Sequence, residues 1–164
     1  MFSPAHKTFI LERIVKAYEG DLEALVSSAE SAYEAATHAE SRADNKYDTR
    51  GLEASYLAGA QAARAQEIRK LLSLCKAFTP RDYGTSDEIS VGALCELRAE
   101  TGSTQWVFLV PFAGGRSVEV DGVKVNIVSS ASPLGEELMG RTSGAFFEVD
   151  MRGKSVEYEV LQAI

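Results

Sequence analysis

The sequence predicts an α+β fold, with a long antiparallel two-helix coiled-coil hairpin followed by a small antiparallel β-domain with one short helix. Three observations carry this prediction. No proline occurs between Pro4 and Pro80, and Ala, Glu, Leu, Arg and Lys, all good helix formers, dominate that interval. Beyond Thr79-Pro80, short alternating apolar and polar runs are separated by turn signals. Within that second region a single stretch, Ser132 to Gly140, carries the start and stop signals of a short helix. The expected division is therefore 1–79 for the hairpin and 80–164 for the β-domain.

In helix one, Ile10, Ile14, Ala17, Tyr18, Leu22, Leu25, Val26, Ala29, Ala32, Ala36 and Ala39 recur at spacings of three and four, which predicts one buried stripe. A helix from Pro4 to Arg42, at ~1.5 Å per residue, would be roughly 55 Å long. Helix two is predicted to return through Leu52, Tyr56, Ala60, Ala63, Ile68, Leu71, Leu72 and Cys75, with small residues near the turn and large ones near Phe78. Acids outnumber bases in helix one, and bases outnumber acids in helix two. Antiparallel pairing brings the opposite signs together, although each exposed pair contributes only ~0.2–1 kcal/mol. A lone helical hairpin buries little apolar area, so its base is expected to dock on the second region.

Pro80, Tyr83-Gly84 and Ser86-Asp87 mark a connector. Strands are expected at Ala93–Ala99, Gln105–Val110, Arg116–Val120, Val123–Val128, Ala145–Asp150 and Ser155–Leu161. Asp121-Gly122, between two alternating runs, predicts a type I′ hairpin turn, because both central residues must take positive φ. Gly114-Gly115 reads as another turn. For the short helix, Ser132 suits the N-cap, Pro133 the first helical position and Gly140 the C-terminal exit.

A net charge of −7 disfavours autonomous DNA binding, which needs Lys and Arg to displace counterions. The N-terminal run lacks the basic-then-apolar pattern of a signal peptide, and no apolar stretch approaches the ~20 residues of a membrane span. A cytoplasmic monomer is the expectation, with no membrane association. Cys75 and Cys95 lack neighbouring Cys or His at metal-ligand spacing and are expected to be buried, reduced thiols. His6 and His38 are far apart, no Gly-x-Ser-x-Gly occurs, and Phe112-Ala113-Gly114-Gly115-Arg116 is too short for a phosphate loop.

The candidate site is the turn between the helices, Arg42-Ala43-Asp44-Asn45-Lys46-Tyr47-Asp48-Thr49-Arg50. Acids at the end of a hairpin contribute little to their own fold but can be carried into a partner. Asp44 and Asp48 are the candidate catalytic and metal-facing pair. If helix two begins at Asn45, Asp48 closes an Asn-x-x-Asp capping box and Asp44 stabilises the positive helix end. Glu53 is a reserve acid, although a solvated helix face explains it better. Arg50, Arg64, Arg69 and Lys70 could contact RNA or acids of a partner, or lie along the rod with their heads in water.

Such a hairpin, followed by Ser132-Pro133-Leu134-Gly135-Glu136-Glu137-Leu138-Met139-Gly140-Arg141 and Gly144-Ala145-Phe146-Phe147-Glu148-Val149, resembles the Gre transcript-cleavage and elongation factors. The resemblance spans nearly the whole chain and is most specific in the second region, which looks like the family's FKBP-like domain. It implies a partner, bacterial RNA polymerase, entered through the secondary channel. It also implies tip carboxylates that assist cleavage of backtracked RNA at a Mg²⁺ ion shared with the polymerase active site, so that the protein itself is not an enzyme. Asp44 matches the family's Gly-Asp, any residue, Lys pattern, whereas Tyr47 stands where the second acid is expected and Asp48 follows it. Two readings follow: a cleavage stimulator using Asp44 and Asp48, or a competitor that occupies the channel without promoting cleavage. A third takes the FKBP-like fold as a peptidyl-prolyl isomerase, with Trp106, Phe108, Phe112, Phe146 and Phe147 lining a cleft or, alternatively, filling the core.

Overall fold

The computed structural model describes residues 2–37, 50–84, 86–112, 114–150 and 153–164, with the side chains of 35–37 and 50–55 outside that description. The element order is α1 (Pro4–Thr37), α2 (Arg50–Ala77), β1 (Leu94–Ala99), β2 (Thr104–Val110), β3 (Ser117–Val120), β4 (Val123–Ser129), α3 (Pro133–Leu138), β5 (Phe146–Asp150) and β6 (Ser155–Ala163). The α+β class and all six expected strands are present. Two compact units divide the chain: residues 15–76, and residues 1–14 together with 77–164. The expected boundary at 79/80 differs at the N-terminus, because Phe2, Ile10 and Ile14 are buried within the second of these units.

In the helical unit, α1 and α2 pair antiparallel. Lys76 Nζ bonds Glu19 Oε1 at 2.7 Å, and Gln61 Nε2 donates to Ser28 Oγ at 2.8 Å, so partners on α2 descend as those on α1 ascend. Ala65, Ile68, Leu72 and Cys75 are buried, spaced by three and four as a helical interface requires. The expected stripe on α2 is corrected toward the turn: Tyr56 is 72 % exposed, and Ala60 and Ala63 are exposed as well. The cause is angular drift. Continuing from Ile68 in steps of three and four leads back through Ala65 and Gln61 to the half-buried Ala58, not to Ala63, Ala60 and Tyr56. Gln61 therefore holds an interface position, and its Oε1 is buried with no hydrogen-bond partner among the described residues.

In the second unit, six strands form one sheet in the order β3-β4-β2-β1-β6-β5. The expectation of a purely antiparallel sheet is corrected, since β2 and β4 run parallel, Trp106 opposite Val125 through Val110 opposite Ser129. The reason lies at Gly114-Gly115, which is no hairpin turn. Gly115 N donates to Ile127 O and Ile127 N to Arg116 O, so the segment runs along β4 and β4 lies between β2 and β3. A Cβ on Gly114 would lie 2.5 Å from Ser129 N, a contact that only glycine avoids. The Asp121-Gly122 turn is as expected, with φ of 51° and 76°.

The sheet separates two apolar layers. Cys95, Leu97, Val107, Leu109, Phe147, Val149, Tyr158 and Val160 pack on one side with Leu138 of α3, Ile89 and Tyr83. Alternation sends Leu94, Phe108, Val110, Val125 and Ile127 to the other side, where all are buried. Phe2 meets Trp106 edge-on there, with ring centroids 4.6 Å apart.

Candidate functional site

Asp44 and Asp48, together with Asn45 and Tyr47, lie outside the described residues, as does the expected helix start at Asn45. Glu53 lies in α2, but its side chain is also outside the description. The described helices α1 and α2 flank this link and pair antiparallel. Among the described residues no group of three or more His, Cys, Asp or Glu could hold a metal ion. Of the basic residues on α2, Arg64 bonds Glu67 at 2.8 Å on the exposed surface, and Lys70 is exposed. Arg64 is thus engaged within its own helix.

The second unit carries an open cleft of about 750 Å³ on the α3 side of the sheet. Its rim at α3 is built by local rules. Ser132 is the N-cap, its Oγ accepting from Gly135 N at 3.2 Å and donating to Ser129 O at 2.7 Å, while Pro133 opens the helix. Gly140 leaves the helix with φ of 77°. Gly135 has a further role that the sequence did not reveal: a Cβ there would lie 2.0 Å from Ser129 O, so glycine lets α3 close onto the end of β4. Arg116, Lys124 and Asp150 line the cleft, and Asn126 Nδ2 donates to Gln105 Oε1 at 3.1 Å within it. These charged and polar groups share the lining with the apolar side chains of Val107, Pro133, Leu134 and Tyr158.

None of the five aromatics considered for a prolyl cleft lines it. Phe108, Phe112 and Phe147 are buried, Trp106 packs on Phe2, and Phe146 is exposed. The alternation of Phe108 and Phe147 with polar or opposite-facing neighbours already matched a core.

Lys7 is the polar residue that sequence reasoning missed. It is 1 % exposed, its Nζ donates to Arg81 O at 2.6 Å, and it lies 4.9 Å from the centre of the Tyr83 ring. Burial pushes its pKa below the ordinary lysine value, opposed by the nearby Asp82 carboxylate. The signal was present, because Lys7 precedes Ile10 and Ile14 by three and seven, the spacing of their buried stripe. One residue earlier, His6 ties the helix start to the β3–β4 turn. Its Nδ1 is 2.8 Å from Ser3 Oγ and its Nε2 is 3.2 Å from Asp121 Oδ2.

Cys75 and Cys95 are buried free thiols, as expected. Burial raises the Cys75 pKa to about 11 and that of Cys95 to about 12, so both are protonated at neutral pH.

No family profile matches the chain, and no curated protein matches it. Among solved structures, it is similar to the GreA factor homolog 1 (Gfh1) of Thermus thermophilus, with 20 % identity over 92 % of this chain and 94 % of that one and a TM-score of 0.38. Gfh1 of Thermus aquaticus gives 21 % identity, coverage of 90 % and 92 %, and a TM-score of 0.38. The elongation factor GreA/GreB of Nitrosomonas europaea gives 16 % identity over 60 % of this chain and 78 % of its own, with a TM-score of 0.36.

Proposed function

We propose that this chain is a Gre-like factor that enters the secondary channel of bacterial RNA polymerase and modulates the polymerase's own active site. The observation that carries the reading is the coexistence of two features. One is an antiparallel hairpin whose connecting residues include Asp44. The other is the stretch Ser132 to Arg141, whose N-cap, proline start and glycine exit are all used as the resemblance requires. In this reading Asp44 offers its carboxylate to Mg²⁺ held by the polymerase, and the chemistry remains the polymerase's. The open cleft beside α3, where apolar side chains are edged by Arg116, Lys124 and Asp150, offers the second unit a surface for holding the complex.

A second reading, a competitor that occupies the channel without stimulating cleavage, is favoured by Tyr47 at the expected second acidic position. The isomerase reading has no support in the cleft lining. Stalled, backtracked elongation complexes test the choice. RNA shortening by the wild-type protein that is lost in Asp44→Ala supports the stimulator, and its loss in Asp48→Ala as well assigns the second acid. Absence of shortening, together with suppression of a known stimulator, supports the competitor. Absence of polymerase binding overturns both.

A further inference from the structure

The sheet face that carries Trp106 is covered unequally. Around Trp106 it is closed by Phe2, and Phe108, Val110, Val125 and Ile127 are buried. Over β5 and β6 the same face is left open by the described residues. Phe146 is 59 % exposed, and alternation along β5 places Glu148 beside it. Across the strand pair stand Glu159, Glu157 and Ser155, with Glu148 directly opposite Glu157. Like charges in that relation destabilise a sheet, so this pair does not serve the fold. Ser155 Oγ donates to Glu148 Oε2 at 2.9 Å, and no cation among the described residues pairs with the carboxylate of Glu148 or Glu157.

The cation on this face is Arg98, opposite Glu159 in the register, which gives both Nε and Nη2 to that carboxylate. A pit of about 240 Å³ adjoins the pair, lined by Phe146, Glu157 and Glu100 among others. The pit already holds one guanidinium against one carboxylate, and it leaves Glu100 and Glu157 for another.

We propose that this open face is a docking surface for an extended, cationic and partly apolar segment of a protein partner. Lys or Arg heads of the segment neutralise Glu148 and Glu157, and an apolar side chain covers Phe146, an aromatic anchor ringed by charge. Phosphate-bearing partners are repelled there. The surface uses no residue of the hairpin, so it stands or falls independently of the polymerase reading.

The test uses the full chain and a fluorophore-labelled hexapeptide of alternating Arg and Leu, titrated by anisotropy at ~0.1 M salt, where distant exposed charges are largely screened. The expected result is saturable binding, weakened ~10-fold or more by Glu148→Lys with Glu157→Lys and comparably by Phe146→Ala. The control pair Glu12→Lys with Glu23→Lys, of equal charge change on α1, should weaken it no more than ~2-fold, because only long-range attraction is altered. Glu157→Lys alone should weaken the peptide less than the double variant and raise the melting temperature by ~1–2 °C, because a like-charge pair becomes an ion pair. No binding by the wild type, equal weakening by the two double variants, or indifference to Phe146→Ala would each overturn the proposal.

Discussion

In the β-containing unit Leu97, Val107, Leu109, Leu138 and Val160 are wholly buried, whereas in the helical unit the innermost residues are Tyr18, Ala65, Ile68, Leu72 and Cys75, flanked by half-buried Leu22, Leu25 and Ala29. The difference follows from geometry. A sheet with α3 on one side and the N-terminal residues in the same unit offers two interiors, and two helices share a single seam. The β-containing unit is therefore the firm one and the helical unit owes its stability to few contacts.

Three changes would break or sharpen this contrast. The largest effect is expected at Gly135. Alanine there forces a methyl against Ser129 O, a backbone atom that cannot rotate away, and should cost ~3 kcal/mol or more, read as a lower urea midpoint of Trp106 fluorescence. Since Trp106 is the only tryptophan and belongs to the β-containing unit, it reports that unit alone. Ile68→Ala should cost ~2 kcal/mol at the helical seam. It should lower the midpoint of the helical circular dichroism while leaving the Trp106 midpoint nearly unchanged. Coincident shifts of both signals would show that the units unfold as one and remove the contrast.

The smallest effect concerns alkaline pH. Burial raises the Cys95 thiol from an ordinary 9.0 to about 12, so the folded state holds this proton more tightly than the unfolded chain does. Its stabilising contribution is complete below the unfolded value and is lost as pH rises from there toward the folded one, at up to ~1.4 kcal/mol per pH unit. Wild type should therefore lose stability between pH 9 and 11 faster than Cys95→Ala. Parallel pH profiles would refute the assignment.

Much of the fold was legible because its signals are local. The strand alternation, the positive-φ turn at Asp121-Gly122 and the Ser132-Pro133 helix start each lie within a few residues. The β2–β4 pairing was not legible, because Gly114-Gly115 looks like a hairpin turn until its contact with Ser129 and Ile127 is known. The stripe on α2 was misphased toward the turn because alanine satisfies a buried and an exposed position alike, so Ala60 and Ala63 could not be told from Ala65. Asp44 and Asp48 are legible only as sequence, by residue type and by resemblance. The β5–β6 face stayed hidden for a different reason: Glu148 and Glu157 are unremarkable until the register sets them opposite each other.

The sequence by itself determined the α+β class, the antiparallel hairpin, the strands, the capped helix and the thiol state, since each depends on periodicity, backbone preference or residue type within one segment. Only the tertiary structure decided that residues 1–14 join the β-containing unit, that Lys7 is buried, that β4 lies parallel beside β2, and that Glu148, Glu157 and Glu159 gather on one sheet face. Those outcomes depend on contacts between residues far apart in the chain, and no local pattern specifies which distant surface a buried side chain will meet.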